Sequence, residues 1–130
     1  MINFDNFIYK IDRWRGEMEF SRKSSNTKKL RISMVGPSGS ITQEQKTAIL
    51  EFIGNYDELW IEIAKELDIS HNQKLDTTIS LASPGVVSGT NGLQTYDYII
   101  GYKAFSDEEY IHSYMVCIDN MKVMEIIQAI

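Results

Sequence analysis

The chain has 130 residues, 43% of them apolar, and a formal net charge of −5. That is enough for one domain around one core, and no stretch approaches the ~18 consecutive apolar residues of a membrane span. The first forty residues carry eight Lys/Arg against four Asp/Glu, a balance of +4, and the remainder stands at −9. This argues against sequence-independent nucleic-acid binding and fits a basic partner.

The N-terminus, Met1-Ile-Asn-Phe-Asp-Asn-Phe7, has neither a basic n-region nor an apolar h-region, so a cytoplasmic, soluble protein is expected. Residues Phe7 to Phe20, rich in aromatic and β-branched types, read as a strand. Ser21 to Lys29 reads as a polar turn, and Leu30-Arg-Ile-Ser-Met-Val35 alternates apolar with polar to complete a hairpin. Leu30, Ile32 and Met34 should face the core. Gly36-Pro-Ser-Gly39 ends the strand.

A long helix follows. Thr42 with Gln45 fits a capping box, and Ser40 with Gln43 offers a second register. From Ile49 to Leu67 apolar residues recur at spacings of three and four, so one wide stripe must cover a sheet. Gly54-Asn55 should bend or split the helix. Glu51, Glu58, Glu62 and Glu66 fall mainly on the wet side.

Beyond a polar link around Ser70 to Lys74, a short strand is expected at Thr77 to Ala82, then a long irregular loop or pair of turns at Ser83 to Gly92. Strands follow over Thr95 to Phe105, Glu109 to Asp119 and Met121 to Ile130, with turn chemistry at Ser106-Asp-Glu108 and Asp119-Asn120. Apolar residues on both faces of the last two strands suggest a central position or a second covered face. The expected fold class is α+β: an antiparallel sheet, made of an N-terminal hairpin and a C-terminal meander, packed against one helix in a single domain spanning 1–130.

The residues offer little chemistry. Gly36-Pro-Ser-Gly-Ser40 lacks the Gly-Lys-Ser/Thr ending of a P-loop and reads as a strand-to-helix turn. His71 and His112 have no motif partners, and His112 and Cys117 are five apart on one strand, hence on opposite faces. Cys117 cannot form an internal disulfide, no zinc spacing exists, and no cofactor, metal or catalytic residue is assigned. Five of the seven tyrosines, Tyr96, Tyr98, Tyr102, Tyr110 and Tyr114, take even positions in two adjacent strands. They read either as core pairs under the helix with hydroxyls at the rim, or as an exposed recognition surface flanked by Asp97, Asp107, Glu108 and Glu109.

Trp14-Arg-Gly-Glu-Met-Glu-Phe20, Leu30-Arg-Ile-Ser-Met34 and the helix entered through Ile41-Thr-Gln-Glu-Gln45 together resemble a group of small bacterial domains found among the immunity proteins of polymorphic toxin and contact-dependent growth-inhibition systems. The resemblance covers residues 12 to 70, with support from Tyr110-Ile-His-Ser-Tyr-Met-Val116. It rests on packing and helix-entry residues, and the group supplies no active-site motif. It implies a non-enzymatic protein that binds one toxin domain, one to one, in the cytoplasm. A nuclease is the toxin class whose basic cleft an acidic partner would fit. The expected partner surface is Tyr96, Asp97, Tyr98, Asp107, Glu108 and Glu109, with Glu58 and Glu62 of the helix as the rival. The alternative is a stand-alone ligand-binding or housekeeping domain with Ser83 to Gly92 lining a small-molecule pocket. Neither reading involves nucleic acid or a membrane, and the oligomeric state is left open.

Overall fold

A computed structural model describes residues 2–67, 73–89, 92–107 and 109–129. After a 3₁₀ turn at Phe4–Asn6, the chain forms β1 (Ile8–Lys10), β2 (Arg13–Arg22) and β3 (Thr27–Val35), then α1 (Gln43–Glu66). It continues as β4 (Lys74–Leu75), β5 (Thr78–Ala82), β6 (Gly85–Gly89), β7 (Gly92–Tyr96), β8 (Tyr98–Ser106), β9 (Glu109–Asp119) and β10 (Lys122–Ala129). The fold is α+β. The main sheet has the order β1-β2-β3-β5-β8-β9-β10, with β4 paired to β8 beyond β5.

The N-terminal hairpin and the β8–β9–β10 meander are antiparallel, as their short turns require. The β3–β5 pair is parallel, since α1 carries the chain back across the sheet between them. Gln43–Glu66 is one uninterrupted helix, so Gly54 does not split it. Around that glycine the Asn55 amide donates to the Glu51 carbonyl at 2.7 Å, keeping a polar side chain on the helix backbone. The start is set by the Thr42 box: Gln45 N–H donates to Thr42 Oγ1 at 3.1 Å and Thr42 N–H to Gln45 Oε1 at 2.9 Å. The same Gln45 side chain donates to the Val35 carbonyl at 2.9 Å, tying the helix entry to the end of β3. Together with the Trp14 indole bonded to the Pro37 carbonyl, this accounts for Gly36 to Ser40 as a turn.

The core lies between α1 and the sheet. Leu30, Ile32 and Met34 of β3 meet Ile49, Phe52, Tyr56, Leu59 and Ile63 of α1, all buried. The segment expected to be an irregular loop or a pair of turns, Ser83 to Gly92, instead forms β6 and the start of β7 in a hairpin. β6 and β7 pair from Gly85↔Tyr96 to Gly89↔Gly92 and fold onto the far face of the sheet. Val87 and Tyr96 there close a second small cluster with Ile99 and Cys117, which explains the apolar residues on both faces of β8 and β9. A Cβ at Gly85 would collide with Ile99, so glycine lets the hairpin backbone lie directly on β8.

Candidate functional site

The even-numbered tyrosines do not form one surface. Asp97 breaks the strand between β7 and β8, so Tyr96 turns to the hairpin cluster while Tyr98 turns to the α1 core. Cross-strand pairing then places Tyr102 opposite Tyr114 under the helix. Tyr96, Tyr98, Tyr102 and Tyr114 are all buried, which leaves them little area for recognition. The hydroxyls of Tyr96, Tyr98 and Tyr102 are hydrogen-bonded within the protein. Tyr56 and Tyr102 share a hydrogen bond of 2.8 Å, and Tyr98 donates to the Ala48 carbonyl at 2.6 Å. Burial, followed by the nearby Glu51 and Asp97 carboxylates, pushes Tyr98 up to about 12. Tyr96 is pushed up to about 12 by its bond to Glu125 Oε2 (2.8 Å) first and burial second. The Tyr110 side chain lies outside the described residues.

The expected acidic residues separate into two groups. Asp97 sits at the start of β8 and Asp107 and Glu109 beyond its end, on the order of 30 Å apart at the usual rise of a strand. Glu108 lies outside the described residues. Asp97 also holds the structure together locally, because its carboxylate accepts from Asn120 N–H at 3.0 Å and its own N–H donates to Asp119 at 2.7 Å. These two bonds clamp the β7–β8 link to the β9–β10 turn. Asp107 adopts a positive φ of 51°, a turn conformation that Asp tolerates.

Glu58 and Glu62 fare differently. Both are exposed on α1, and Glu66 completes an i, i+4, i+8 row on one helix flank. Glu62 and Glu66 line a groove of about 410 Å³ whose opposite wall is β10. Toward the other end of the helix, Glu51 and Asp97 line a second groove beside the β9–β10 turn. Carboxylates therefore stand at both ends of this side of α1, with Glu62 and Glu66 facing β10 and Glu51 near the β9–β10 turn. Among the described residues nothing pairs with the outer edge of β10, the longer of the two sheet edges, and Met124 on it is 57% exposed. Unpaired N–H and C=O groups beside a carboxylate row form a surface on which another chain can dock.

His112 lies next to Tyr114, where its Nδ1 stands 3.2 Å from the Gln128 amide, while Cys117 is buried on the other face beneath the hairpin. Burial pushes the Cys117 thiol up to about 11, so it is a packing residue and a poor nucleophile. His71 lies outside the described residues. Among those described, no three His, Cys, Asp or Glu side chains converge as a metal site would require, and no helix is long and apolar enough to cross a membrane.

The far face of the sheet holds a recess edged by Val86, from the Ser83 to Gly92 segment offered as a pocket lining, and walled by Arg13, Arg15 and Arg31, which sequence reasoning misses. Its signal in the sequence is Arg13-x-Arg15 and Arg31-x-Ser33, two period-2 pairs. Without the register, nothing says that they share a face. Comparison with protein-family models, with curated proteins and with solved structures finds no match to this chain.

Proposed function

We propose that this chain is an immunity-type protein that binds and neutralises a toxin domain through its acidic α1–β10 flank. The observation that carries the reading is Glu62 and Glu66 lining a groove against β10, with exposed Glu58 one turn earlier on the same helix flank, beside a strand edge that nothing among the described residues pairs with. A basic partner would be steered by that row and could extend the sheet at the edge, so affinity comes from backbone pairing and encounter rate from charge. A nuclease fits this chemistry, because its phosphate-binding cleft is basic. Inhibition by occupation requires no reaction on this chain, only a rigid scaffold, which the doubly covered β8 and β9 strands provide.

The test is titration calorimetry of the purified protein against the C-terminal domain encoded by the gene immediately upstream, with rescue of growth in cells expressing that domain. One-to-one binding at nanomolar affinity with rescue is the expected outcome. No heat and no rescue would remove the immunity reading.

A further inference from the structure

Strand register sets out the sheet face turned away from α1. One row across the strands runs Arg15, Ser33, Ala82, Ile99 and Cys117. The next runs Glu17, Arg31, Ser80, Gly101 and Met115. Small side chains thus occupy the middle of both rows, with arginines on the β2–β3 side and Ile99 and Met115 on the β8–β9 side. The hairpin raises Val86 at the apolar wall, and a recess of about 390 Å³ results, within the range of small-molecule sites. Gly101 is part of the floor, since a Cβ there would meet the Ser80 hydroxyl.

The arginines are positioned differently from one another. Arg13 donates from Nη1 to Ser33 Oγ at 3.2 Å, and Arg31 Nε lies 3.3 Å from Glu17, which also meets Lys29 at 3.6 Å. Arg15 has no hydrogen-bond or ion-pair partner among the described residues, so its whole guanidinium is open to an outside acceptor, whereas Arg13 and Arg31 are each partly engaged. A planar guanidinium grips phosphate or carboxylate through two parallel bonds.

We propose that this recess binds a small organic anion, its phosphate or carboxylate head on Arg15 between Arg13 and Arg31, its apolar or planar body over Ser80 and Gly101 against Val86, Ile99 and Met115. An extended nucleic acid fits less well, because the strand that carries the arginines continues into Glu17 and Glu19, which repel phosphates. The site faces away from the acidic flank and does not depend on the protein-partner reading.

Amide-shift titrations with phenyl phosphate, benzoate and inorganic phosphate test it, in wild type, Arg15→Ala and Val86→Ser. Both altered side chains are exposed, so the fold survives. Saturable shifts centred on Ser80, Gly101 and Val86 are expected with at least one organic probe, and the stronger of the two identifies the head group. Arg15→Ala should weaken that probe about tenfold, the loss of a charge-assisted pair. Val86→Ser, which removes apolar contact without adding charge, should weaken the organic probe while leaving inorganic phosphate nearly unchanged. No saturable shift with any probe would overturn the proposal, as would binding indifferent to Arg15→Ala. A short oligonucleotide that displaces phenyl phosphate and binds more tightly would overturn the small-molecule assignment.

Discussion

On the side of the sheet that α1 covers, Leu30, Ile32, Met34, Ile79, Leu81, Ile100 and Val116 are at most 1% exposed, whereas on the other side Arg15, Arg31, Ser80 and Lys103 of neighbouring strands meet solvent. The same period-2 alternation generates both faces. Only the helix side buries enough apolar area to hold the fold, at roughly 25 cal/mol per Å². Among the described residues the far side is covered where β6 and β7 lie on Ile99 and Cys117, and its remaining surface carries charge and small residues. The buried apolar layer and the exposed polar rows thus lie on opposite faces of one sheet, with the α1–β10 flank along the seam between them.

That division is broken most severely from the helix side. Phe52, fully buried and in ring contact with Tyr56 and Tyr98, should cost about 3–5 kcal/mol when changed to Ala. Arg31→Ala on the far face should stay within about 0.5 kcal/mol, and chemical denaturation of the two variants side by side measures the contrast. Comparable losses would show that the far face is structural.

A smaller effect, about 1–3 kcal/mol, is expected for Gly85→Ala, because the added Cβ meets Ile99 and lifts the hairpin from the sheet. Cys117 reports the event: a thiol reagent should label it faster in the variant at unchanged pH, and an unaltered labelling rate would show that the hairpin does not shield it.

The smallest effect is a pH dependence. Tyr98 is raised from an ordinary value of about 10 to about 12 in the fold, so above the lower value the unfolded chain sheds a proton that the folded chain keeps. Stability from this group is complete below about pH 10 and falls as pH rises toward 12. Tyr56 and Tyr102, raised chiefly by burial, act in the same direction. Tyr98→Phe should therefore flatten part of the alkaline decline in melting temperature without removing it. An unchanged slope would exclude Tyr98 as a contributor.

Much of the helix side is legible in the chain. The alternation of Leu30, Ile32 and Met34, the Thr42–Gln45 box and the three-and-four stripe of α1 are local signals, and each produces the element it specifies. The hairpin escapes because Ser83 to Gly92 is built largely of Gly, Ser and Pro, which read as loop. What makes β6 and β7 strands is tertiary contact with Ile99 and Cys117, invisible to a local window. The tyrosine face is misleading for a related reason, since one non-strand residue, Asp97, reverses the side on which Tyr96 and Tyr98 emerge. Of the expected partner residues, Glu58 and Glu62 are exposed on the helix flank proposed as the partner surface, Tyr96 and Tyr98 are buried, and Asp97 clamps a turn. The arginine recess needs the register of five strands at once, which no spacing in the sequence discloses.

The central claim, that the acidic α1–β10 flank receives a basic protein partner, is tested most directly by association kinetics of the upstream-encoded domain with wild type and with the Glu58→Lys, Glu62→Lys, Glu66→Lys triple variant at low and high salt. All three side chains are exposed, so the variant should fold normally. Association is predicted to slow by about tenfold or more at low salt, with the difference shrinking as salt screens the flank. Equal rates for the two proteins at low salt, with binding intact, would contradict the claim and place the interface elsewhere.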